Sequence, residues 1–444
     1  MSEDTVFALS SPVGGAIAIV RITGSGAYAA LMRVFRCKNA PEHRVMNYGH
    51  VIDPESGETI DSAMACFLKA PATYTGEDMA EIYIHGSRVI AKRTLSVLSR
   101  FLRPAEGGEF TKRAFMNGKL DLSQAEAVMD VISSVTEQGA RMAEEQLAGS
   151  IGSGIKDIED RLIDILSGVE AALDYPDELE EDTVSSLENE LAPIIDKLDY
   201  LIRGGNAARI FREGASVAIL GAPNAGKSSL FNALMGTERA IVTSIPGTTR
   251  DTLEETLDIC GAPVRITDTA GIREGADEAE RIGVERARKA GERADLILIA
   301  IDGTKPIEEE SRALIDAAKR GEYRKCLILF TKADRQDFTM DKSCAALSPI
   351  AVSSVTGEGL DALKERMAAL LLTKEAESAL VTNSRHIYAL AEAKAALETA
   401  DAAMGTDLAA ADIRTALYAL GQITGREVTS DVIERIFSRF CVGK

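Results

Sequence analysis

The sequence predicts a multidomain protein: an α+β domain, followed by an all-α helical bundle that carries an inserted α/β domain. Three changes of pattern along the 444-residue chain support this division. Apolar β-type runs broken by Gly and Pro come first, apolar residues at helical spacing follow, and a stretch of alternating apolar runs and helices interrupts that helical pattern. We expect the segments 1–118, 119–212, 213–372 and 373–444, the second and fourth forming one bundle.

The first two segments differ in the period of their apolar residues. In the first segment, β-type runs at 16–22, 63–68 and 81–84 precede a helical stretch at 87–102. In the second segment, apolar residues recur every three or four positions. This spacing predicts two or three long helices with a break near 174–177.

A capping box formed by Ser123 and Glu126 is expected where the second segment begins, because a hydroxyl and a carboxylate at this spacing satisfy two helix N–H groups. Helical spacing returns after residue 373 and continues to about 437. These two helical stretches are therefore expected to pack as one bundle.

The inserted segment has short apolar runs that do not alternate with polar residues. They lie at 216–220, 263–267, 296–301, 326–330 and 349–353. Strands that are apolar on both faces and separated by helices indicate a parallel sheet covered on both sides.

The net charge and its distribution along the chain limit the partners that the protein can bind. The net charge of −19 argues against binding nucleic acid through overall charge. Residues 1–119 nevertheless hold 14 Lys and Arg against 12 Asp and Glu (net +2), whereas the remainder holds 36 against 57 (net −21). Any polyanionic partner is therefore expected at the first segment or at a local patch, and not at the acidic remainder.

We expect a cytoplasmic protein that does not enter a membrane, because the sequence shows neither an export signal nor a membrane helix and its thiols are of the reduced type. Six cysteines without a CxxC pair and four scattered histidines predict reduced thiols rather than disulfides or a zinc site. The first four residues are acidic, and no apolar run approaches the roughly 18 residues of a membrane helix.

A phosphate-binding loop follows the first predicted strand of the inserted segment. Residues 221–228 match the pattern GxxxxGK[ST] between a strand and a helix. Glycines allow backbone N–H groups to surround phosphate oxygens, Lys227 reaches the β- and γ-phosphates, and the Ser228 hydroxyl suits Mg²⁺.

Three further motifs follow at the ends of later strands, where parallel α/β sheets bind ligands. Asp268 begins a DxxG motif that ends at Gly271, and Asp334 ends a TKAD motif. The Asp334 carboxylate can accept the N1–H and N2–H of guanine, and backbone N–H groups near Ser353 and Ser354 suit the guanine O6. The set resembles the guanine-nucleotide site of Ras-like GTPases.

Two positions depart from the Ras pattern. Thr331 replaces the Asn that normally braces the guanine loop and touches the base edge, so some affinity is expected to be lost. Ile272 replaces the Gln that orients water, so hydrolysis requires another group. The run 247–251 (GTTRD) is the candidate switch, in which Thr249 completes Mg²⁺ coordination.

Several motifs together resemble the MnmE (TrmE) family of tRNA modification GTPases across essentially the whole chain. They are Asn224 in the phosphate loop, GTTRD at 247–251, DTAGIRE at 268–274, YTGED at 74–78, GEFTKRAF at 108–115, KLDLSQAE at 119–126 and the terminal FCVGK. The first segment departs from the family at 11–15, which reads SPVGG and lacks the usual arginine.

The resemblance implies a potassium-stimulated GTPase. Its K⁺ ligands would be Asn224, Thr243, Ile245 and Thr248. A monovalent cation there places positive charge where an arginine finger would. By the same resemblance Glu280 orients the attacking water, and the G domains of two subunits meet across their nucleotides.

The resemblance also implies a folate-dependent tRNA modification. The first segment would form a homodimer and bind 5-formyl- or 5,10-methylene-tetrahydrofolate through Arg21, Glu81 and Lys119, with Lys444 and a catalytic Cys441 nearby. An MnmG-type flavoprotein, which alone carries FAD, would act with the protein. Together they would add an aminomethyl or carboxymethylaminomethyl group to C5 of the wobble uridine U34 of certain tRNAs.

The complete candidate nucleotide site contains residues from four loops. They are Asn224, Ala225, Gly226, Lys227, Ser228, Ser229, Thr243, Ser244, Ile245, Pro246, Gly247, Thr248, Thr249, Asp268, Thr269, Ala270, Gly271, Thr331, Lys332, Ala333, Asp334, Ser353 and Ser354.

Two alternatives share parts of this pattern. A ribosome-assembly GTPase of the Era-like group would have the same nucleotide motifs, but it should add a basic RNA-binding module such as KH, and none is visible. A folate-dependent transferase with a merely structural nucleotide would place all its chemistry in residues 1–119.

Overall fold

The computed structural model describes residues 4–237, 256–267, 294–373, 376, 379–400, 405–438 and 440–443. Within these ranges, none of the helices combines the length and the apolar character that a bilayer-spanning segment requires. The predicted combination of an α+β domain, a helical bundle and an inserted α/β domain is confirmed.

The first domain is a mixed sheet with helices on one face. Its elements are β1 (Val6–Leu9), β2 (Ile17–Thr23), α1 (Ala27–Val34), β3 (Phe35–Cys37), β4 (Met46–Ile52), β5 (Thr59–Leu68), β6 (Met79–His85), α2 (Arg88–Leu98), β7 (Arg103–Pro104) and α3 (Glu109–Met116). The strand order is β3-β4-β5-β6-β2-β1-β7, and the pairs are antiparallel except β1 with β7.

Alternation along β2 divides this sheet into a covered and an open face. Ala18, Val20 and Ile22 are buried in the core that includes residues of α1 and α2. Arg21 lies between Val20 and Ile22 and therefore points to the other face. The predicted helix at 87–102 is shorter than expected: Ser87 caps α2 through a hydrogen bond from the Val89 N–H, and the helix ends at Leu98.

The bundle begins with four helices, two of them long. They are α4 (Leu122–Ser133), α5 (Glu137–Leu147), α6 (Ser150–Asp174) and α7 (Pro176–Glu213). The break at Tyr175 lies in the predicted interval.

The predicted capping box of α4 is wrong. Asp121 is the N-cap, and its partner in the box is Gln124 rather than Glu126. Ser123 lies inside the helix and donates to Asp121, while the Glu126 carboxylate is committed to Arg385 and His386. A capping role for Glu126 is excluded because its two oxygens serve those partners.

The inserted domain has a six-stranded sheet. Its elements are β8 (Ala215–Leu220), α8 (Lys227–Thr237), β9 (Thr256–Ile259), β10 (Ala262–Thr267), β11 (Leu296–Asp302), α9 (Glu309–Lys319), β12 (Cys326–Thr331), a 3₁₀ turn (Lys342–Leu347), β13 (Ile350–Ala351) and α10 (Leu360–Leu371). The order β13-β12-β11-β8-β10-β9 is parallel except for the β9–β10 hairpin.

The five predicted strands are parallel, as expected, and the unpredicted β9 adds an antiparallel hairpin at the edge of the sheet. Cys260 and Gly261 both have positive φ (50° and 88°), which lets a two-residue turn reverse the chain between the strands. The two faces of the sheet lie in separate apolar clusters, as continuous apolar strands predict.

The bundle is completed by α11 (Ser384–Thr399), α12 (Thr406–Thr424) and α13 (Ser430–Phe437). One apolar core joins α6 and α7 with α11 and α12, so both halves of the bundle contribute to it. The last turn of α7 adds polar links: Arg212 contacts Asp130 at 2.8 Å, and Ser384 donates to Glu213 at 2.5 Å. The inserted domain therefore starts from a helix end that is held from both halves.

Candidate nucleotide and folate sites

The phosphate loop connects β8 to α8 in the way its sequence predicts. A Cβ on Gly221 would lie 2.2 Å from the Ala300 carbonyl oxygen, and its φ of +150° also favours glycine. The Lys227 ammonium donates to the carbonyls of Gly221 (2.7 Å) and Ala222 (2.9 Å) across the loop. These contacts place the cation over the backbone that would surround a phosphate.

The candidate cation ligands of this loop face solvent. Asn224 has a φ of +61°, a region that Asn tolerates better than most residues, and its side chain is exposed. Ser228 and Ser229 are exposed in the first turn of α8, while Ala225 is buried and Gly226 is half-buried. A hydroxyl at this position is available to a divalent cation without displacing an apolar contact.

The loop of the TKAD motif, residues 331–334, is called the guanine loop here, and Thr331 joins it to the phosphate loop. Its buried hydroxyl lies 2.9 Å from the Ala225 carbonyl oxygen and 3.1 Å from that of Ile301. This residue therefore still braces the two loops, although it is shorter than the expected Asn. Its hydroxyl is turned into the protein, where it contacts backbone carbonyls rather than solvent.

Asp334 is exposed and is oriented by a buried neighbour. The Ser353 hydroxyl donates to its Oδ1 at 2.6 Å, and this hydrogen bond lowers the pKa of Asp334. Ala333 donates its N–H to the Val352 carbonyl (3.1 Å), which aligns the loop beside Ser353 and the half-buried Ser354. The sequence predicted the position of Ser353 at this sheet edge but not its hydrogen bond to Asp334.

Arg21 and Glu81 are brought together on the open face of the first domain. They are directly opposed on β2 and β6, and the Arg21 Nε lies 2.7 Å from Glu81 Oε1. Sequence reasoning missed Tyr83, whose hydroxyl donates to Glu81 Oε2 at 2.5 Å. Burial and the adjacent carboxylate raise the pKa of Tyr83 to about 12. The period of two along β6 would have identified it.

Lys119 and Cys441 each contact the backbone of the first domain. The exposed Lys119 ammonium donates to the Pro71 carbonyl at 3.1 Å. The half-buried Cys441 accepts a hydrogen bond from the Gly108 N–H on its carbonyl (3.2 Å), and Val442 forms a bridge with Gly107. The end of the chain is thus attached to the first domain.

Comparison with known proteins covers the whole chain. The family model described as "MnmE helical domain" matches residues 122–441, and that of the "GTP-binding protein TrmE N-terminus" matches residues 5–119. The chain belongs to the MnmE (TrmE) family.

Curated members of the MnmE family align from end to end. The tRNA modification GTPase MnmE of Natranaerobius thermophilus is 39% identical over 100% of both chains, and that of Geobacillus kaustophilus is 42% identical over 99% of both. Among solved structures, the G domain of the T. maritima FeoB iron transporter is 31% identical over 35% of this chain and 98% of its own, with a TM-score of 0.27. Membership of the MnmE family replaces the Era-like alternative.

Part of the predicted site lies outside the described residues. These positions are Thr243, Ser244, Ile245, Pro246, Gly247, Thr248, Thr249, Asp268, Thr269, Ala270, Gly271, Glu280 and Lys444. Their roles in this MnmE-family chain remain predictions. Among the residues that are described, no group of three or more His, Cys, Asp and Glu side chains is arranged to hold a metal ion.

Proposed function

We propose that the protein is a GTP hydrolase that acts in tRNA modification, adding an aminomethyl or carboxymethylaminomethyl group to C5 of U34 together with an MnmG-type flavoprotein. Family membership over the whole chain supports the GTPase and tRNA parts. The observation that carries the nucleotide part is the Asp334 carboxylate, held by Ser353 and joined through Thr331 to the phosphate loop. This arrangement suits guanine, because a carboxylate accepts two N–H groups that adenine lacks.

Each described residue of the nucleotide site has a role in this proposal. Lys227 exchanges the loop carbonyls for β- and γ-phosphate oxygens, which are stronger acceptors. Ser228, with Thr249, supplies hydroxyl ligands for Mg²⁺, which would offset phosphate charge. GTP hydrolysis then drives a conformational cycle rather than the carbon chemistry.

Potassium stimulation belongs to the same proposal. Asn224 is exposed beside the phosphate loop, where its side-chain oxygen can meet a cation. Thr243, Ile245 and Thr248 complete the proposed ligand set, and Glu280 orients water. Pairing of two G domains would cover the exposed Asn224 side.

The first domain is proposed to bind the folate and to form the homodimer. Arg21 and Glu81 supply a cation and a carboxylate for a tetrahydrofolate derivative, and Lys119, Cys441 and Lys444 are proposed as further contacts. The same sheet face exposes apolar side chains, which supports its burial against a second copy. They are Ile17 (61% exposed), Tyr48 (67%), Met46 (43%) and Met64 (45%).

The proposed segments are 1–118 for folate binding and dimerisation, 119–212 and 373–444 for the bundle, and 213–372 for the G domain. The net charge of +2 on residues 1–119, against −21 elsewhere, supports tRNA approaching the folate-binding end.

The nucleotide proposal is tested by changing the edge that the base meets. Asp334→Asn replaces an acceptor with a donor, so we expect weaker GTP binding and new binding of xanthosine triphosphate. Asp337→Asn, the same change at an exposed aspartate three residues away, should leave both unchanged. Calorimetry with each nucleotide measures this, and an Asp334→Asn protein with parental GTP affinity would reject guanine recognition.

The tRNA proposal is tested in cells that lack the protein. We expect the modified wobble uridine to disappear from the tRNA nucleosides and to return with the parent gene but not with Glu280→Ala. An unchanged nucleoside profile would reject this part and leave GTP hydrolysis intact. Faster GTP turnover in K⁺ than in Na⁺, and tetrahydrofolate binding that Glu81→Gln weakens, test the two remaining parts.

A further inference from the structure

The segment after β11 packs directly beneath the guanine loop. Asp302 is the register partner of Thr331 on β12, and its Oδ2 lies 2.5 Å from the Lys332 ammonium. Its Oδ1 accepts two more hydrogen bonds, from the Thr304 N–H (3.0 Å) and the Thr304 hydroxyl (2.6 Å). Three donors therefore converge on one carboxylate, and this group takes no part in the function proposed above.

The backbone of this segment is fixed against the same loop. The Gly303 N–H donates to the Thr331 carbonyl at 3.2 Å, and the Thr339 N–H donates to the Gly303 carbonyl at 2.8 Å. A Cβ on Gly303 would lie 2.4 Å from the Phe338 ring, so a larger residue there would force the ring to move. Asp302 is consequently held in place independently of Lys332.

Lys332 has a backbone conformation that needs support. Its φ is +63°, which is uncommon for a side chain other than Gly, Asn or Asp and carries strain. Its side chain is 37% exposed, whereas that of Asp302 is 11% exposed. Burial alone would raise the pKa of Asp302, but the bonds from Lys332 and Thr304 outweigh it and lower that pKa. The Asp302 carboxylate is therefore charged. Its ion pair with the Lys332 ammonium helps to stabilise the loop in which Lys332 has this strained backbone conformation.

Lys332 lies on the same loop as Asp334, which suits a contact with the face of a base in the proposed site. Asp334 takes the edge of the purine in the proposed site, and Lys332 is two residues before it on the same loop. The methylene stem of a lysine can cover an apolar surface while its ammonium stays paired elsewhere. The ammonium of Lys332 is anchored at Asp302 while the side chain stays 37% exposed, so part of the stem is open to a ligand.

We propose that Asp302 is a positioning residue for guanine-nucleotide binding: it anchors the Lys332 ammonium so that the lysine stem lies against the face of the purine. This inference rests on the proposed guanine site. It assigns Asp302 to the face of the base and Asp334 to its edge. Loss of Asp302 should therefore weaken binding whichever base edge is recognised.

The test compares four variants by titration with fluorescent GDP. Asp302→Asn turns an amide N–H₂ toward donors, and Lys332→Met keeps the stem but removes its anchor, so each should raise Kd about tenfold. Because both remove one interaction, the double variant should also stay about tenfold above the parent rather than reach about a hundredfold. Lys332→Arg, which keeps a cation, should retain most of the affinity.

Two further measurements separate positioning from general stability. Asp361→Asn changes an aspartate that is 96% exposed in the same domain, and it should leave Kd unchanged. In the Asp334→Asn background, Asp302→Asn should weaken xanthosine diphosphate binding by the same factor as it weakens GDP binding in the parent.

The outcomes that overturn the inference are distinct from those that reject the function. Parental Kd in Asp302→Asn, or a double variant whose effect is the product of the single effects, overturns the role of Asp302 alone. A parent protein that does not bind GDP rejects the guanine site and this inference together. A lower melting temperature of Asp302→Asn with unchanged Kd would show a structural ion pair only.

Discussion

The buried contact around Glu126 makes the stability of the bundle sensitive to one carboxylate. Arg385 donates to Glu126 at 3.0 and 2.7 Å, and the His386 Nε2 lies 2.8 Å from the same carboxylate. The side chains of Glu126 and His386 are 8% and 1% exposed. Since α4 and α11 belong to different halves of the bundle, this contact joins segments that are far apart in sequence.

Glu126→Gln should lower the melting temperature of the bundle by about 6–20 °C. Removing one partner of a buried ion pair costs about 3–5 kcal/mol, because the remaining charge stays buried. In a domain of this size, each kcal/mol corresponds to about 2–4 °C. The glutamine keeps one acceptor oxygen, which favours the lower end of the range. Calorimetry and far-ultraviolet circular dichroism measure the shift.

Glu145→Gln is the matched control for this prediction. Glu145 pairs with Arg141 one turn away in the same part of the bundle, but the two side chains are 50% and 71% exposed. Exposed pairs of this kind contribute about 0.5 kcal/mol, or about 1–2 °C here. Equal shifts in the two variants, or a Glu126→Gln protein that melts with the parent, would refute the reasoning.

Two more predictions concern pH and the phosphate loop. Burial lowers the pKa of His386; burial alone would raise that of Glu126, but the hydrogen bonds from His386 and Arg385 hold it well below its usual value. Both groups therefore stabilise the fold fully above their ordinary pKa values of 6.5 and 4.5, and this stability is lost as the pH falls, first through His386. Calorimetry from pH 8 downward should show that decline, with the advantage of the parent over Glu126→Gln shrinking below about pH 4.5; an advantage that grows there contradicts it. Gly221→Ala should abolish tight GTP binding, because its Cβ would meet the Ala300 carbonyl at 2.2 Å, and calorimetric affinity equal to the parent would disprove the close approach.

Local patterns predicted the parts of the fold that depend on neighbouring residues. The strands of the inserted domain were predicted to within a few residues, because continuous apolar runs mark them. β9 was missed because Thr256–Ile259 has only four residues, too few to show a period. The α4 cap was assigned to Ser123 and Glu126 because nothing local reveals that Glu126 pairs with Arg385, 259 residues away.

The candidate sites also contain features that short local motifs predict and features that depend on residues far apart in sequence. The phosphate loop and Asp334 could be located from short motifs next to predicted strands. The Arg21–Glu81 and Asp302–Lys332 pairs could not, because they join residues 60 and 30 positions apart and depend on strand register. Register is set by the whole sheet, which a single sequence does not specify.

The shared core of the bundle can be completed only after the carboxyl-terminal helices have been made. The apolar faces of α6 and α7 leave the ribosome before their partners exist, and Glu213 precedes Ser384 by 171 residues. At about 5–20 residues per second this delay is roughly 10–30 s. During that interval the inserted domain can complete its own core, since its sheet and covering helices are contiguous in sequence. Until the carboxyl-terminal helices are made, the apolar faces of α6 and α7 lack the partners that cover them in the folded bundle, and exposed apolar surface of this kind favours aggregation.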